Sequence, residues 1–394
     1  MNALAFAWRS LVRQPARATL GILGVAAVGA LLFDMLLLSE GLVLSMRDLL
    51  DRQDYDIRVT ATDALPGSGP EIEDAEEAAA AIATLPSVRL VFTMRFADAE
   101  IERPGGATVH ASLLGASGGP GLPWTLARGR QPGGGRELVL NEFGARALGV
   151  EPGGSITVRA SCSNDPQAPP PIEFRIAGIV TFPFNVPDEA AAGTTMAGLA
   201  DACGGAHAGA ADFLLVASRA DPLDAQADIA ALRPDLRAFT NDQLIGRLEE
   251  GGFTYFRQIS TVLTTVTVSF ALLLITVLLT VSVNQRLGEI AALRALGFSR
   301  SRVVADVLSE SVLIVGIGGV LSLPLGALLA GGLDQILKRM PGIPEQLHFF
   351  VFEPKALGIH VALLAATAFL AAAYPMHLVA RLPIAATLRN EVTS

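Results

Sequence analysis

Four apolar runs, at about Leu20–Leu38, Ile259–Val283, Val312–Leu333 and Ala356–Val379, constrain this chain more than any other feature in it. Each is near the ~20 residues that ~30 Å of hydrocarbon requires at a rise of ~1.5 Å per residue. The background fits: a mean hydropathy of +0.47 with only 17% charged and 6% aromatic residues is far from that of an ordinary soluble domain. The runs predict an α-helical membrane protein with four transmembrane helices. Collagenous, disordered and small disulfide-framework classes are excluded.

Between the first two runs lies a hydrophilic segment, Ser45 to Arg257, with 29 of the 38 acidic residues, 17 arginines and no lysine. The short segments 1–19, 284–311 and 380–394 hold three, four and two arginines, against three basic residues in the other short loop, 334–355. Counted over short loops, the positive-inside rule puts the N-terminus, the second connection and the C-terminus in the cytoplasm. The acidic segment is then outside. Both cysteines, Cys162 and Cys203, fall within it, where an oxidising compartment would let them pair; the alternative is two free, partly buried thiols.

The segment reads as a folded α+β domain rather than a linker. Tyr55, Ile57 and Val59 alternate, as do Leu90 to Phe96, Val109 to Leu113, Ile156 to Val158 and Ile172 to Ile176; Glu73–Thr84 and Glu142–Leu148 are helical. Residues 117–135 read as a Gly/Pro-rich loop. From about Asp212 the order is strand (Phe213–Ala217), helix (Leu223–Leu232, capped by Asp221), strand (Ala238–Thr240) and helix (Asp242–Glu250), a small second subdomain whose closing helix would stand on the second membrane helix as a stalk. The domains expected are 1–44 (interfacial helix and first membrane helix), 45–257 (external) and 258–394 (remaining membrane helices).

The N-terminal run is too long for a cleaved export signal and should remain as an anchor. Before it, Leu4, Ala7, Trp8, Leu11 and Val12 share one helical face, predicting a short interfacial helix. In the third run the small residues Gly316, Gly319, Ser322 and Gly326 recur at helical steps and predict close helix packing, with Pro324 as a kink. Asp34 and His360 lie at similar depth in the first and last runs, so either Asp34 snorkels to the headgroups or the two face one another.

Several chemistries are removed. The only lysines, Lys338 and Lys355, do not follow the glycines of a phosphate-binding loop, and the five histidines form no zinc motif. No metal or catalytic residue is expected. Gly115-Ala-Ser117-Gly-Gly119 fits G-x-S-x-G, but Pro120-Gly-Leu-Pro123 follows where a hydrolase would need a helix, so a flexible loop is the preferred reading.

Between the second and third runs, Ile290, Leu293 and Leu296 form an apolar ridge flanked by Arg286, Arg294 and Arg300, with Glu289 beside it. Such a helix can dock on a protein, or its arginines can meet lipid phosphates. The stretch Val283 to Arg302, running into Leu308-Ser-Glu-Ser-Val312, resembles the signature of FtsX/MacB-type ABC transporter permeases. The ending from Tyr374-Pro375 through Arg381-Leu-Pro383 to Leu388-Arg389 is similar to that family's C-terminus, and the region from Gly129 to Val180 to its external domain.

The resemblance implies a non-catalytic permease subunit, multi-pass in the bacterial cytoplasmic (inner) membrane. Its coupling helix would sit in a cleft of a partner ABC ATPase, with Glu289 and Arg294 as polar contacts and Gly297 ending the helix. It implies a second permease copy and membrane lipids as partners, with room for an extracytoplasmic adaptor, and ATP and Mg bound by the ATPase with no cofactor on this chain; the acidic external surface argues against nucleic acid. The function implied is mechanotransmission: export or extraction of a lipoprotein, lipid, peptide or drug. The alternative is a regulator of a cell-wall hydrolase, as in the division members of the family; the 213 residues from 45 to 257 favour the exporter group.

Overall fold

The computed structural model describes residues 3–13, 15–103, 105–106, 108–117, 122–162, 169–205, 207–250, 254–285, 299–340, 344 and 346–380. In chain order the elements are α1 (Ala3–Arg13), α2 (Pro15–Asp51), β1 (Ile57–Thr60), α3 (Ala75–Ala83), β2 (Val88–Glu102), β3 (Thr108–Ala116), β4 (Thr125–Gly129), β5 (Glu137–Asn141) and α4 (Glu142–Leu148). There follow β6 (Ser155–Ser161), β7 (Ile172–Thr181), β8 (Ala190–Thr195), α5 (Met196–Ala202), β9 (Phe213–Ser218), α6 (Pro222–Leu232), β10 (Arg237–Thr240), α7 (Asn241–Glu250), α8 (Thr254–Asn284), α9 (Arg300–Leu337) and α10 (Pro354–Ala380). Among the described residues four helices are long and apolar enough to cross a membrane, over Ala18–Asp51, Gln258–Val281, Leu308–Leu337 and Pro354–His377. The α+β domain is inserted in the chain between the first and second of them.

The chain divides into two compact units. One takes in Met1–Leu42, Phe253–Gln335 and His348–Ser394, the other Val43–Gly252 and Ile336–Leu347. In the helical unit, Val25, Leu32, Ile275, Leu279, Ile314 and Leu364 form the main core. Ala7 and Leu11 of α1 are buried while Trp8 and Val12 are exposed. α9 runs on through Pro324 without ending.

Among the described residues the other unit is built on one ten-stranded sheet that does two things. Strands β10, β1, β9 and the first half of β2 lie side by side, all antiparallel, with α3 and α6 against one face. That is the split β-α-β-β-α-β arrangement, with a large insertion after its second strand. Alternation sets its two faces: Ile57, Val59, Leu214 and Val216 pack with Ala78, Ile82 and Ile229 of the helices. Their neighbours Phe213 and Leu215 turn the other way, to Phe92, Met94, Trp124 and Phe182. The subdomain expected from residue 212 onward is therefore completed by β1, α3 and β2, from far earlier in the chain.

The second half of β2 pairs on both edges, with β3 over Met94–Glu102 and with β6 over Asp98–Glu102. Pairing then continues β3–β8–β5–β7–β6 and returns to β2, closing a six-stranded ring. Closure leaves those strands no free edge. Inward residues Ile101, Leu113, Leu138, Leu140, Ile156 and Phe174 fill it, together with Leu148 of α4 and Leu199 of α5. Cys162, just after β6, is bonded to Cys203, just after α5, with Cα atoms 5.5 Å apart.

Local chemistry accounts for the helix ends. Asp221 accepts the Leu223 N–H at 2.9 Å before α6, and Asn141 accepts the Gly144 N–H at 2.9 Å before α4, which ends on Gly149 at φ +61°. The edge strand β10 is blunted by side chains: Gln226 donates to the Ala238 carbonyl at 2.7 Å and Gln243 accepts the Thr240 N–H at 3.3 Å. Three elements escaped the sequence reading. β4 occupies part of the expected 117–135 loop, and β8 and α5 are built from Ala/Gly/Thr stretches without apolar alternation.

At the start of β5, the Glu137 carboxylate accepts Arg130 and the Gly133 N–H (3.0 Å) and is held down at about 2 by those bonds, Arg130 first. A depressed carboxylate stabilises the fold above its ordinary value of 4.5 and loses that contribution as pH falls towards 2. Glu137→Gln should therefore lower stability at pH 7 and reduce the loss on acidification across that window, as read by thermal unfolding at a series of pH values.

Candidate functional site

In the helical unit α2 meets α9 where glycine lets two backbones approach. A Cβ on Gly318 would lie 2.7 Å from the Val25 Cβ and 2.9 Å from the Ile22 carbonyl; one on Gly29 would lie 2.8 Å from the Ser322 Cβ; one on Gly326 would lie 3.0 Å from the Ala30 carbonyl. Gly319 faces Leu364 of α10, where a Cβ would approach to 3.1 Å. Gly316 takes no part in these contacts: among the described residues a Cβ there would meet nothing within 4 Å. At ~100° per residue Gly316 lies about 120° round the helix from Ser322, and Gly318 only about 40° from it. Gly318 and Gly29 were missed; on α2 the signal was Gly29 standing four residues from both Val25 and Phe33.

Gly29 makes room for a polar contact at the meeting of three helices. The Ser322 hydroxyl donates to the Gly319 carbonyl at 2.6 Å, and its Oγ stands 2.9 Å from His360 Nε2. With the hydroxyl proton committed, Nε2–H is the donor, so Nδ1 carries a lone pair; it has no hydrogen-bond partner among the described residues. His360 is 1% exposed, and the Phe33 ring lies 5.1 Å from it. His360, Gly316, Gly319, Val361, Leu364 and Phe369 line a groove of about 400 Å³ between α9 and α10.

The expected meeting of Asp34 with His360 is not made. Phe33 is the α2 residue turned to His360, and Asp34, the next residue, points ~100° away. Asp34 does not snorkel either: it is 5% exposed, and its Oδ1 has no partner among the described residues. It lines a small cavity with Asp334, Phe349 and Phe350, where Asp334 accepts the Phe349 N–H at 2.8 Å.

Of the coupling residues, Arg286, Glu289, Ile290, Leu293, Arg294, Leu296 and Gly297 lie outside the described residues, and Arg300 is described only as the first residue of α9. Ser117 closes a strand end: its Oγ accepts the Thr93 N–H at 3.0 Å and its own N–H donates to the Thr93 carbonyl at 3.1 Å. Among the described residues no group of three or more His, Cys, Asp or Glu is placed to hold a metal ion.

Residues 261–384 match the family model described as FtsX-like permease C-terminal. The match takes in α9, α10 and the 283–302 signature, so the resemblance to FtsX-like ABC permeases holds across that part of the chain. No curated protein sequence matches. Among solved structures, the periplasmic region of MacB from Actinobacillus actinomycetemcomitans is 12% identical, with a TM-score of 0.38 over 50% of this chain and 92% of that one. The extracellular domain of the ABC-type transporter YknZ from Gram-positive bacteria is 10% identical, with a TM-score of 0.34 over 47% of this chain and 99% of that one.

Two predictions follow from the helix contacts. Gly318→Ala should lower the detergent-solubilised protein's stability by about 1–3 kcal/mol, while Gly316→Ala leaves it unchanged, as measured by thermal unfolding. In a double-mutant cycle, Ser322→Ala and His360→Gln should couple by about 0.5–1.5 kcal/mol, whereas Asp34→Asn and His360→Gln should add to within about 0.5 kcal/mol.

Proposed function

We propose that this chain is the membrane-spanning permease subunit of an ATP-binding cassette transporter, multi-pass in the inner membrane and driven by a separate ATPase on the cytoplasmic side. The observation that carries the reading is the FtsX-like match over residues 261–384. Four membrane-length helices with a folded α+β domain inserted after the first support it. In this reading ATP and Mg belong to the partner ATPase, a second permease copy completes the membrane part, and both termini are cytoplasmic.

The coupling helix is the connection between α8 and α9, where Ile290, Leu293 and Leu296 supply an apolar ridge and Glu289 and Arg294 the polar contacts. Its displacement passes into α9, a continuous helix of 38 residues and so about 57 Å. α9 meets α2 where Gly318, Gly29 and Gly326 let the two helices pack closely, a contact that favours their shifting together over sliding. α2 is itself unbroken over 37 residues from Pro15 to Asp51, and its last turns belong to the sheet-containing unit. The work is export or extraction of a cargo outside the membrane.

The test is purification of the tagged protein from its native membrane in mild detergent, wild type beside Arg294→Glu, with co-purifying proteins identified by mass spectrometry. An ATP-binding subunit should accompany the wild type and fall at least tenfold in the variant. Recovery of a cell-wall hydrolase in its place would favour the regulatory reading, and an ATPase retained equally by both would remove Arg294 from the interface.

A further inference from the structure

β1 is a central strand, flanked by β10 and β9, and all four of its residues are buried. Ile57 and Val59 enter the core beneath the helices. Alternation turns Arg58, between them, to the opposite face, in register with Leu215 of β9 and Phe239 of β10. A guanidinium in such a place is expensive unless something repays its desolvation.

Arg58 is 4% exposed and donates to two neutral oxygens, Asn241 Oδ1 and, at 3.3 Å, Gln53 Oε1. Among the described residues no carboxylate lies within ion-pair distance of it. Burial lowers the guanidinium to about 10, while Asp56 and Asp51 favour its charged form from further off. Gln53 has spent its oxygen on Arg58, and its buried Nε2 has no hydrogen-bond partner among the described residues. Two groups of donors, one cationic, are thus held side by side.

Both residues line a cavity of about 590 Å³. Its other walls are mostly apolar and adaptable, with Met46, Met94, Phe96, Phe182, Phe184 and Phe213 among them. Phe96 and Phe184 are exposed at 44% and 43%, large apolar rings that the sheet-containing unit leaves in water. Among the described residues the one carboxylate lining the cavity, Glu189, is solvent-exposed. The volume lies within the ~300–1,000 Å³ of small-molecule sites, which combine apolar walls with a few converging polar groups.

We propose that this cavity binds an amphiphilic carboxylate, with its acid group on Arg58 and Gln53 and its apolar body among the methionine and phenylalanine side chains. The remaining guanidinium N–H groups and the adjacent amide N–H groups suit the two oxygens of a carboxylate, and the bound anion adds a counter-charge nearer than Asp56 and Asp51. All the residues concerned lie within the sheet-containing unit, so the proposal does not rest on the permease reading. An Arg294→Glu chain that has lost an ATPase keeps this site.

The experiment is fluorescence titration of the full chain, in nanodiscs of neutral phosphatidylcholine, with dansyl-undecanoate and with its uncharged methyl ester, subtracting empty nanodiscs. The wild type should bind the acid saturably and the ester at least tenfold more weakly. Arg58→Met, which retains an apolar stem, should bind the two alike. Ala191→Trp, which fills the cavity from a half-buried position and leaves Arg58 in place, should bind neither while unfolding at the wild-type temperature. If Arg58→Met does not fold, the acid-to-ester ratio of the wild type and the Ala191→Trp result decide the matter. Absence of saturable binding, equal affinity for acid and ester in the wild type, or binding undiminished in a folded Ala191→Trp would overturn the proposal.

Discussion

Helices that are apolar on every side carry no stripe to direct their packing, so their neighbours are chosen by how closely two backbones can approach and by the few polar groups that must be satisfied. Both controls operate at one place in the helical unit. Gly318, Gly29 and Gly326 bring α2 and α9 together, and the space over Gly29 receives the Ser322–His360 hydrogen bond. The packing of Phe33 against the His360 ring, and the turning of Asp34 away from it, follow from that approach. A polar bond set among glycines fixes the register of long helices that could otherwise slide along one another.

The sheet-containing unit solves a different problem with one long strand. β2 serves the split β-α-β-β-α-β layer with its first half and closes the six-stranded ring with its second. Backbone pairing therefore runs without interruption from β10 to β4, and a displacement of the layer is carried into the ring by hydrogen bonds rather than by a linker. For a protein proposed to pass motion outward from an ATPase, that stiffness is a useful property.

Local order was legible in the sequence wherever a short-range rule governs it. The Asp221 cap, the α4 helix and the alternating strands β2, β3, β6 and β7 follow from side chain to backbone bonding and from local apolar periodicity. β8 and α5 were not legible, because Ala190–Ala202 shows neither apolar period and is held in place by β3 and β5 on either side. Gly316 was misread for a related reason: spacing finds residues that share a face, but only the neighbouring helix selects which face is used.

The sequence by itself determined that four segments are long and apolar enough to span a membrane, that the polar mass lies between the first and second, and that residues 283–302 carry a family signature. These depend on composition and order along the chain. Tertiary structure alone decided that β1, β2 and α3 complete a subdomain with β9, α6 and β10, that His360 meets Ser322 rather than Asp34, and that Arg58 faces an apolar cavity. Each of those joins residues far apart in sequence, and period and propensity describe only one segment at a time.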